Sequence, residues 1–307
     1  MPRHDAYPPW VRLEGFLTAV PPLRWAVDKI HQQRKKRYMS VERTRDRNSP
    51  TDLRNFEQKI FSQYGEDGIV EEIFGRIGEG GRFVVEFGIE DGSECNARNL
   101  IENRSWAALL IDGSPADVEA ARALYSGRPV RVLERFITAE NILSIFEEAE
   151  APIEPDLLSI DVDGNDYWLW KAILGRYRPR VVVIEYNGRW VPPKKWVMPY
   201  DPEHRWDGTL DYGASLASLA NLGKEHGYAL VGCGFAGLNA FFVREDLLGD
   251  RFPSAVRGTS YHYAAPLYGM GFGHPLRPGL THRFSQVSEP EPSTSRRRSN
   301  RRDDVDG

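Results

Sequence analysis

Arg82-Phe83-Val84-Val85-Glu86-Phe87-Gly88-Ile89-Glu90-Asp91-Gly92 is the stretch on which the fold turns. Residues 82–87 read as a buried β-strand that closes at Gly88. Upstream, Ile69, Val70, Ile73, Phe74 and Ile77 recur at helical spacing behind Gly65-Glu66-Asp67-Gly68. Downstream, residues 96–103 suit a helix, and Ala107-Ala108-Leu109-Leu110-Ile111 is a second short apolar run. Ser114-Pro115 opens the next helix, the serine as cap and the proline at the first helical position, with Val118, Ala121 and Leu124 facing inward. The alternation continues with a strand at 129–133, a helix marked by Ile142, Leu143, Phe146 and Ala149, a strand at 157–160, a helix at 168–174, and the β-branched strand Val181-Val182-Val183-Ile184. A helix carrying Leu216, Leu219 and Leu222 leads into two strands, 228–232 and 239–243, close enough to form a hairpin. Five strand–helix units and a hairpin specify an α/β fold, a mostly parallel sheet with a C-terminal antiparallel strand.

Such sheets bind ligands beyond the carboxyl ends of their strands. Those positions are acidic and glycine-rich here: Glu86, Gly88, Glu90, Asp91 and Gly92; then Asp112; then Asp161 and Asp163; then Glu185 and Asn187. Glycines let the backbone approach a ligand closely. An acid at Asp112, ending the second strand, can accept both ribose hydroxyls of a nucleoside. Nicotinamide dinucleotides and S-adenosylmethionine (SAM) share that pair of signals but differ in charge. A pyrophosphate needs exposed N–H groups without nearby carboxylates, whereas a sulfonium and an ammonium are favoured by an acidic rim. The first loop therefore leans toward SAM.

The rest of the 307 residues sets bounds. Net charge is −4, so no global basic field points to nucleic acid. Cys95 and Cys233 make neither a disulfide framework nor a four-thiolate zinc site and read as cytosolic thiols, with a cytoplasmic location expected. No apolar run approaches the roughly 18 residues of a membrane span. Residues 1–54 form a proline-rich and then basic arm, with eight Lys or Arg between Lys29 and Arg47, which suits a solvated segment or contact with an anionic partner. Residues 246–285 read as an irregular extension, and 286–307 as a disordered tail. The domain proper spans 55–245.

Phe61-Ser62-Gln63-Tyr64-Gly65-Glu66-Asp67, Val85-Glu86-Phe87-Gly88 with Asp91-Gly92 and Asn96, and Ser159-Ile160-Asp161-Val162-Asp163-Gly164 occur in order and together resemble the FkbM-type methyltransferases. These are class I SAM-dependent enzymes with a Rossmann-like fold, often O-methyltransferases of sugars or natural products. The resemblance covers roughly residues 60–245. It implies that Gln63 and Tyr64 lie near the cofactor, that Glu86, Gly88, Glu90, Asp91 and Gly92 hold its methionine end, that Asp112 holds the ribose, and that Phe136 and Ile137 flank the adenine. Two departures stand out: Glu90 replaces the middle glycine of E-x-G-x-G-x-G, and Gly113 follows Asp112 where the family more often has Glu-Pro.

The fourth and fifth strand ends are dense in hard oxygen donors. Asp161, Asp163, Glu185 and Asn187 resemble the metal-holding positions of caffeoyl-CoA O-methyltransferases, where Mg²⁺ lowers the pKa of an acceptor hydroxyl. Alternatively Asp161 meets the SAM ammonium, Asn165 or Asp166 caps the next helix, and Asp163 or a loop histidine (His204, His262, His274) is the base. The long aromatic connection 188–213, with Trp190, Trp196 and Trp206, reads either as a lid over a small-molecule or glycan acceptor or as a packed insertion. Two other classes stay open: a nucleotide-sugar enzyme or glycosyltransferase using Asp161-x-Asp163, and a non-catalytic protein on a methyltransferase fold.

Overall fold

The computed structural model describes residues 51–264 and Pro266. The arm up to residue 50, His274 and the 286–307 tail lie outside the described residues. The strands are β1 (Phe83–Phe87), β2 (Ala107–Asp112), β3 (Val130–Glu134), β4 (Leu157–Ile160), β5 (Val181–Glu185), β6 (Tyr228–Cys233) and β7 (Asn239–Arg244). Between them run α1 (Glu66–Ile77, ahead of β1), α2 (Arg98–Arg104), α3 (Pro115–Leu124), α4 (Ile142–Glu148), α5 (Asp166–Ile173) and α6 (Leu216–Glu225). A one-turn α7 (Thr259–His262) lies beyond the sheet, in the stretch read as irregular.

One seven-stranded sheet has the order β3-β2-β1-β4-β5-β7-β6. The four pairings among β3, β2, β1, β4 and β5 are parallel, and β7 runs antiparallel to both β5 and β6. This is the Rossmann-like arrangement expected, with the C-terminal hairpin joined to the sheet through β7, which lies between β5 and β6. All six residues of β7 are buried accordingly.

Strand alternation sends side chains to two cores. Val85, Phe87, Leu109, Ile111, Leu158, Ile160, Val182 and Ile184 pack against α4, α5 and α6. Val84, Ala108, Leu110, Leu157, Val181 and Val183 pack against α1, α2 and α3. With both faces covered, the strands read as continuous apolar runs, and ligands reach the sheet only at its ends. Fully burying a Leu, Ile or Phe stabilises by about 1.5–3 kcal/mol, which fixes the face each strand residue takes.

Candidate active site

A cavity of about 360 Å³ opens at the carboxyl ends of β1 to β4. Its wall includes Gln63, Glu86, Gly88, Glu90, Asp112, Phe136, Ile137, Asp161 and Asp163 from the expected site. Tyr64, Asp91, Gly92, Glu185 and Asn187 do not line it.

The β1 end is a hydrogen-bonded scaffold. Glu86 Oε1 accepts from the Asn96 backbone N–H (2.9 Å) and the Ser159 hydroxyl (3.1 Å), and Oε2 accepts from the Ala97 N–H (2.7 Å). Burial pushes its carboxyl up to about 7, against the pull of these donors. Glu86 thus shapes the 88–97 loop. At Gly88 φ is +74°, and a Cβ would stand 1.5 Å from the Asp161 carbonyl oxygen, so only glycine lets the β1 and β4 ends meet. Glu90 adopts φ +50°, left-handed backbone as a glycine would, and its N–H donates to Asp112 Oδ2 (3.0 Å). The substitution of the motif glycine therefore leaves the loop conformation in the glycine region. Gly92 faces the other way: a Cβ there would lie 2.9 Å from the Tyr125 ring, and the Tyr125 hydroxyl donates to the Gly92 carbonyl (2.7 Å). Asp91 accepts from the Ser93 N–H (2.9 Å), and its bonds to Ser93 hold its carboxyl below the usual range.

The segment before α1 is folded by Asp67. Its Oδ2 accepts from the N–H groups of Ile60, Phe61 and Ser62 (2.9, 2.7 and 2.7 Å), presenting Gln63 to the cavity. The Tyr64 N–H donates to Glu66 Oε2 (2.9 Å), and Asn239 donates to Glu66 Oε1 (3.1 Å). Glu66 is buried on the cavity wall and was not anticipated as a site residue; its only signal was its place in the Phe61–Asp67 motif.

Asp112 closes β2. Its Oδ1 accepts from the Ser114 N–H (2.8 Å) and Oδ2 from Glu90, which fixes the carboxylate and leaves lone pairs for a ligand. Across the opening, Phe136 is 41% exposed, a large apolar ring left toward the cavity.

The β4 end differs. Asp166 accepts from the Val162 and Gly164 N–H groups (both 2.9 Å), organising the turn that carries Asp161 and Asp163. Asn165 does not cap α5 with its side chain; its amide bonds the Asp201 backbone instead (2.7 and 3.4 Å). Asp161, Asp166 and Glu185 each place one carboxylate oxygen within 4.8 Å of the others. Burial, then the mutual repulsion of neighbouring carboxylates, raises the Asp161 and Glu185 carboxyls well above the ordinary range; burial chiefly takes Asp166 to about 6. The buried Glu185 Oε2 has no hydrogen-bond partner. The carboxylates that converge are Asp161, Asp166 and Glu185, while Asp163, expected with them, lines the cavity. The Asn187 amide is committed elsewhere, donating to the Leu210 and Tyr212 carbonyls (2.8 and 2.9 Å) and accepting from the Arg189 N–H (3.1 Å). That commitment closes the base of the insertion.

Insertion 188–213 is tied down at several points. Val197 bridges Ala214, the Trp168 indole donates to the Met198 carbonyl (2.8 Å), and the Tyr200 hydroxyl accepts from the Ala139 N–H (3.0 Å). Its segment His204-Arg205-Trp206 lines the cavity. Trp190 instead stacks on buried Trp196 at 5.2 Å and is outside the lining, so the two lid tryptophans part company. Of the loop histidines in the described residues, only His204 reaches the cavity; His262 is buried with Nε2 2.9 Å from the Ser254 carbonyl.

Neither a protein-family model nor a curated protein matches the chain. Solved structures with similar folds include the N-terminal domain of EvdMO1 with SAH bound (14% identity, 60% of this chain and 81% of that one, TM-score 0.40). A SAM-dependent methyltransferase from Clostridium acetobutylicum matches at 10% identity over 57% of this chain and 89% of that one, TM-score 0.36. The plantazolicin methyltransferase BamL, in complex with a triazolic desmethylPZN analog and SAH, matches at 13% identity over 82% and 87%, TM-score 0.38.

Proposed function

We propose that the chain is a SAM-dependent methyltransferase acting on an oxygen of a sugar or other small hydroxylated acceptor. The observation that carries this is the cavity's charge. Its wall carries Glu90, Asp112, Asp161 and Asp163 together, and at the β4 end Asp161 is crowded by the neighbouring carboxylates Asp163 and Asp166. A ligand bearing a sulfonium and an ammonium supplies the missing positive charge; a dinucleotide pyrophosphate would add to the excess.

SAM supplies an electrophilic methyl group to the acceptor oxygen. The chain's residues bind and orient: Asp112, held by two backbone N–H groups, takes the ribose hydroxyls, and Phe136 and Ile137 cover the adenine. Asp161 meets the ammonium, and the Gly88 turn lets the backbone close on the methionine end. Proximity in a walled cavity supplies much of the acceleration such a transfer needs. Mg²⁺ has a changed donor set in this reading. If Asp161 held a divalent cation instead of the ammonium, Asp166 and the unpartnered Glu185 oxygen would be the other hard donors, and the ion would polarise the acceptor hydroxyl.

The test is isothermal titration calorimetry with S-adenosylhomocysteine, NAD as control, with and without Mg²⁺. Saturable binding of S-adenosylhomocysteine but not NAD is expected, weakened at least about tenfold in Asp112→Ala, with Asp112→Asn as the variant that keeps the loop acceptor. No binding to a folded protein would overturn the reading. Uptake of a nucleotide sugar with metal would then favour the glycosyltransferase class, and binding of neither a scaffold role.

A further inference from the structure

The cavity wall beside Phe136 holds a feature that the cofactor reading does not use. Arg205, delivered by the insertion, lies with its guanidinium carbon 4.7 Å from the centre of the Phe136 ring. It makes no hydrogen bond or ion pair with any described residue, so all five N–H donors of its planar fork are available. Phe136 in turn rests on Gly113: a Cβ there would come within 3.3 Å of the ring. The glycine after Asp112, a departure from the family pattern, thus makes room for the ring, and Gly113, Phe136 and Arg205 form one layered wall. The insertion holds Arg205 there through its neighbours. His204 Nε2 is 3.1 Å from the Asp163 carbonyl, and the His204 ring fills the space over Gly164, where a Cβ would stand 2.3 Å from it. Asn165 clamps the Asp201 backbone, and Tyr200 grips the loop after β3 at Ala139.

We propose that Arg205 is a nucleoside-binding residue, and hence that the insertion belongs to the cofactor site as well as to the acceptor side. This rests on the S-adenosyl reading above. Adenine presents ring-nitrogen acceptors at its edge and a flat π-face. Phe136 covers the face, and the Arg205 fork reaches the edge or stacks beside it, as guanidinium planes do on bases. An arginine so placed is attracted by both aromatic surfaces.

The test compares S-adenosylhomocysteine with 5′-methylthioadenosine, which keeps the nucleoside and thioether and lacks the amino acid. Affinities are measured by calorimetry on the full chain for wild type, Arg205→Ala and Arg205→Lys. Arg205 is exposed and without hydrogen bonds to described residues, so unchanged melting temperatures are expected and establish that the variants fold. The expected result is a loss of about tenfold for both ligands in Arg205→Ala, with most of that loss retained in Arg205→Lys, which keeps the charge but not the plane. Unchanged affinities in Arg205→Ala overturn the proposal. A loss for S-adenosylhomocysteine alone overturns it too, by moving Arg205 to the cofactor carboxylate, and full rescue by lysine removes the planar contact. Absence of wild-type binding to either ligand would be failure of the cofactor reading itself, which is a distinct outcome.

Discussion

Glu86 and Glu185 are both glutamates at the carboxyl ends of parallel strands of one sheet, β1 and β5 on either side of β4, yet they live in opposite environments. Glu86 is buried but receives two backbone N–H groups and a hydroxyl, so its charge is met by the fold. Glu185 is crowded by Asp161, Asp163 and Asp166, and one of its oxygens is buried without a partner. The difference teaches where this protein stores its structure and where it stores its capacity to bind. The β1 end is finished without a ligand, while the β4–β5 end carries an electrostatic cost that a cationic ligand would relieve.

The largest effect expected from that contrast is at the junction of the two ends. Gly88→Ala forces a Cβ into the Asp161 carbonyl at positive φ, and should destabilise by at least about 3 kcal/mol, read in chemical denaturation. A mild effect would mean that the strand ends are not locked together. Next, Glu86→Gln turns an amide N–H toward backbone donors and should cost about 2 kcal/mol. Glu185→Gln removes a repelled charge and should be neutral or stabilising, on the order of 1 kcal/mol at pH 8. Equal losses in the two variants would break the comparison.

The pH dependence sharpens it. A carboxyl raised in the folded state carries no ionisation penalty below its unfolded pKa, and the full penalty above its folded one. For Glu86 that window runs from 4.5 to about 7, and for Asp166 from 3.8 to about 6; the Asp161 and Glu185 windows extend further in the same direction. Ligand-free protein should therefore melt lower at pH 8 than at pH 5.5, by roughly 3 °C. S-adenosylhomocysteine should bind with proton release, seen as a buffer-dependent calorimetric enthalpy. A flat melting profile would contradict the crowded β4–β5 end. The smallest effect is at Glu90. Glu90→Gly relieves left-handed strain at the cost of chain entropy and should gain about 0.5 kcal/mol without loss of cofactor binding.

Much of the fold was legible because apolar periodicity is a local property. Every strand and helix of the sheet layer follows from runs such as Val181–Ile184 or from the Ser114-Pro115 start, and the strand-end rule pointed to the cavity-lining Asp112 and Asp161, whereas Phe136 came only from the family resemblance. Glu66 and Asp166 escaped as site residues because they sit inside helical first turns, where an acid reads as favourable to the helix dipole. Asn187, two residues after Glu185, would share its face if the strand continued, but β5 ends at Glu185 and the Asn187 amide turns to the insertion, a direction that no spacing in the sequence records.

The sequence by itself determined the α/β alternation, the acidic strand ends and the existence of a long aromatic insertion, since these depend on residue types and short spacings. Only the tertiary structure decided that β7 enters the sheet beside β5, that Gly88 meets Asp161, that Trp190 packs away while Arg205 reaches Phe136, and which three carboxylates converge. Those are meetings between residues far apart in the chain. They are fixed by the burial of two opposed cores and by hydrogen bonds between loops, which no local pattern of residues records.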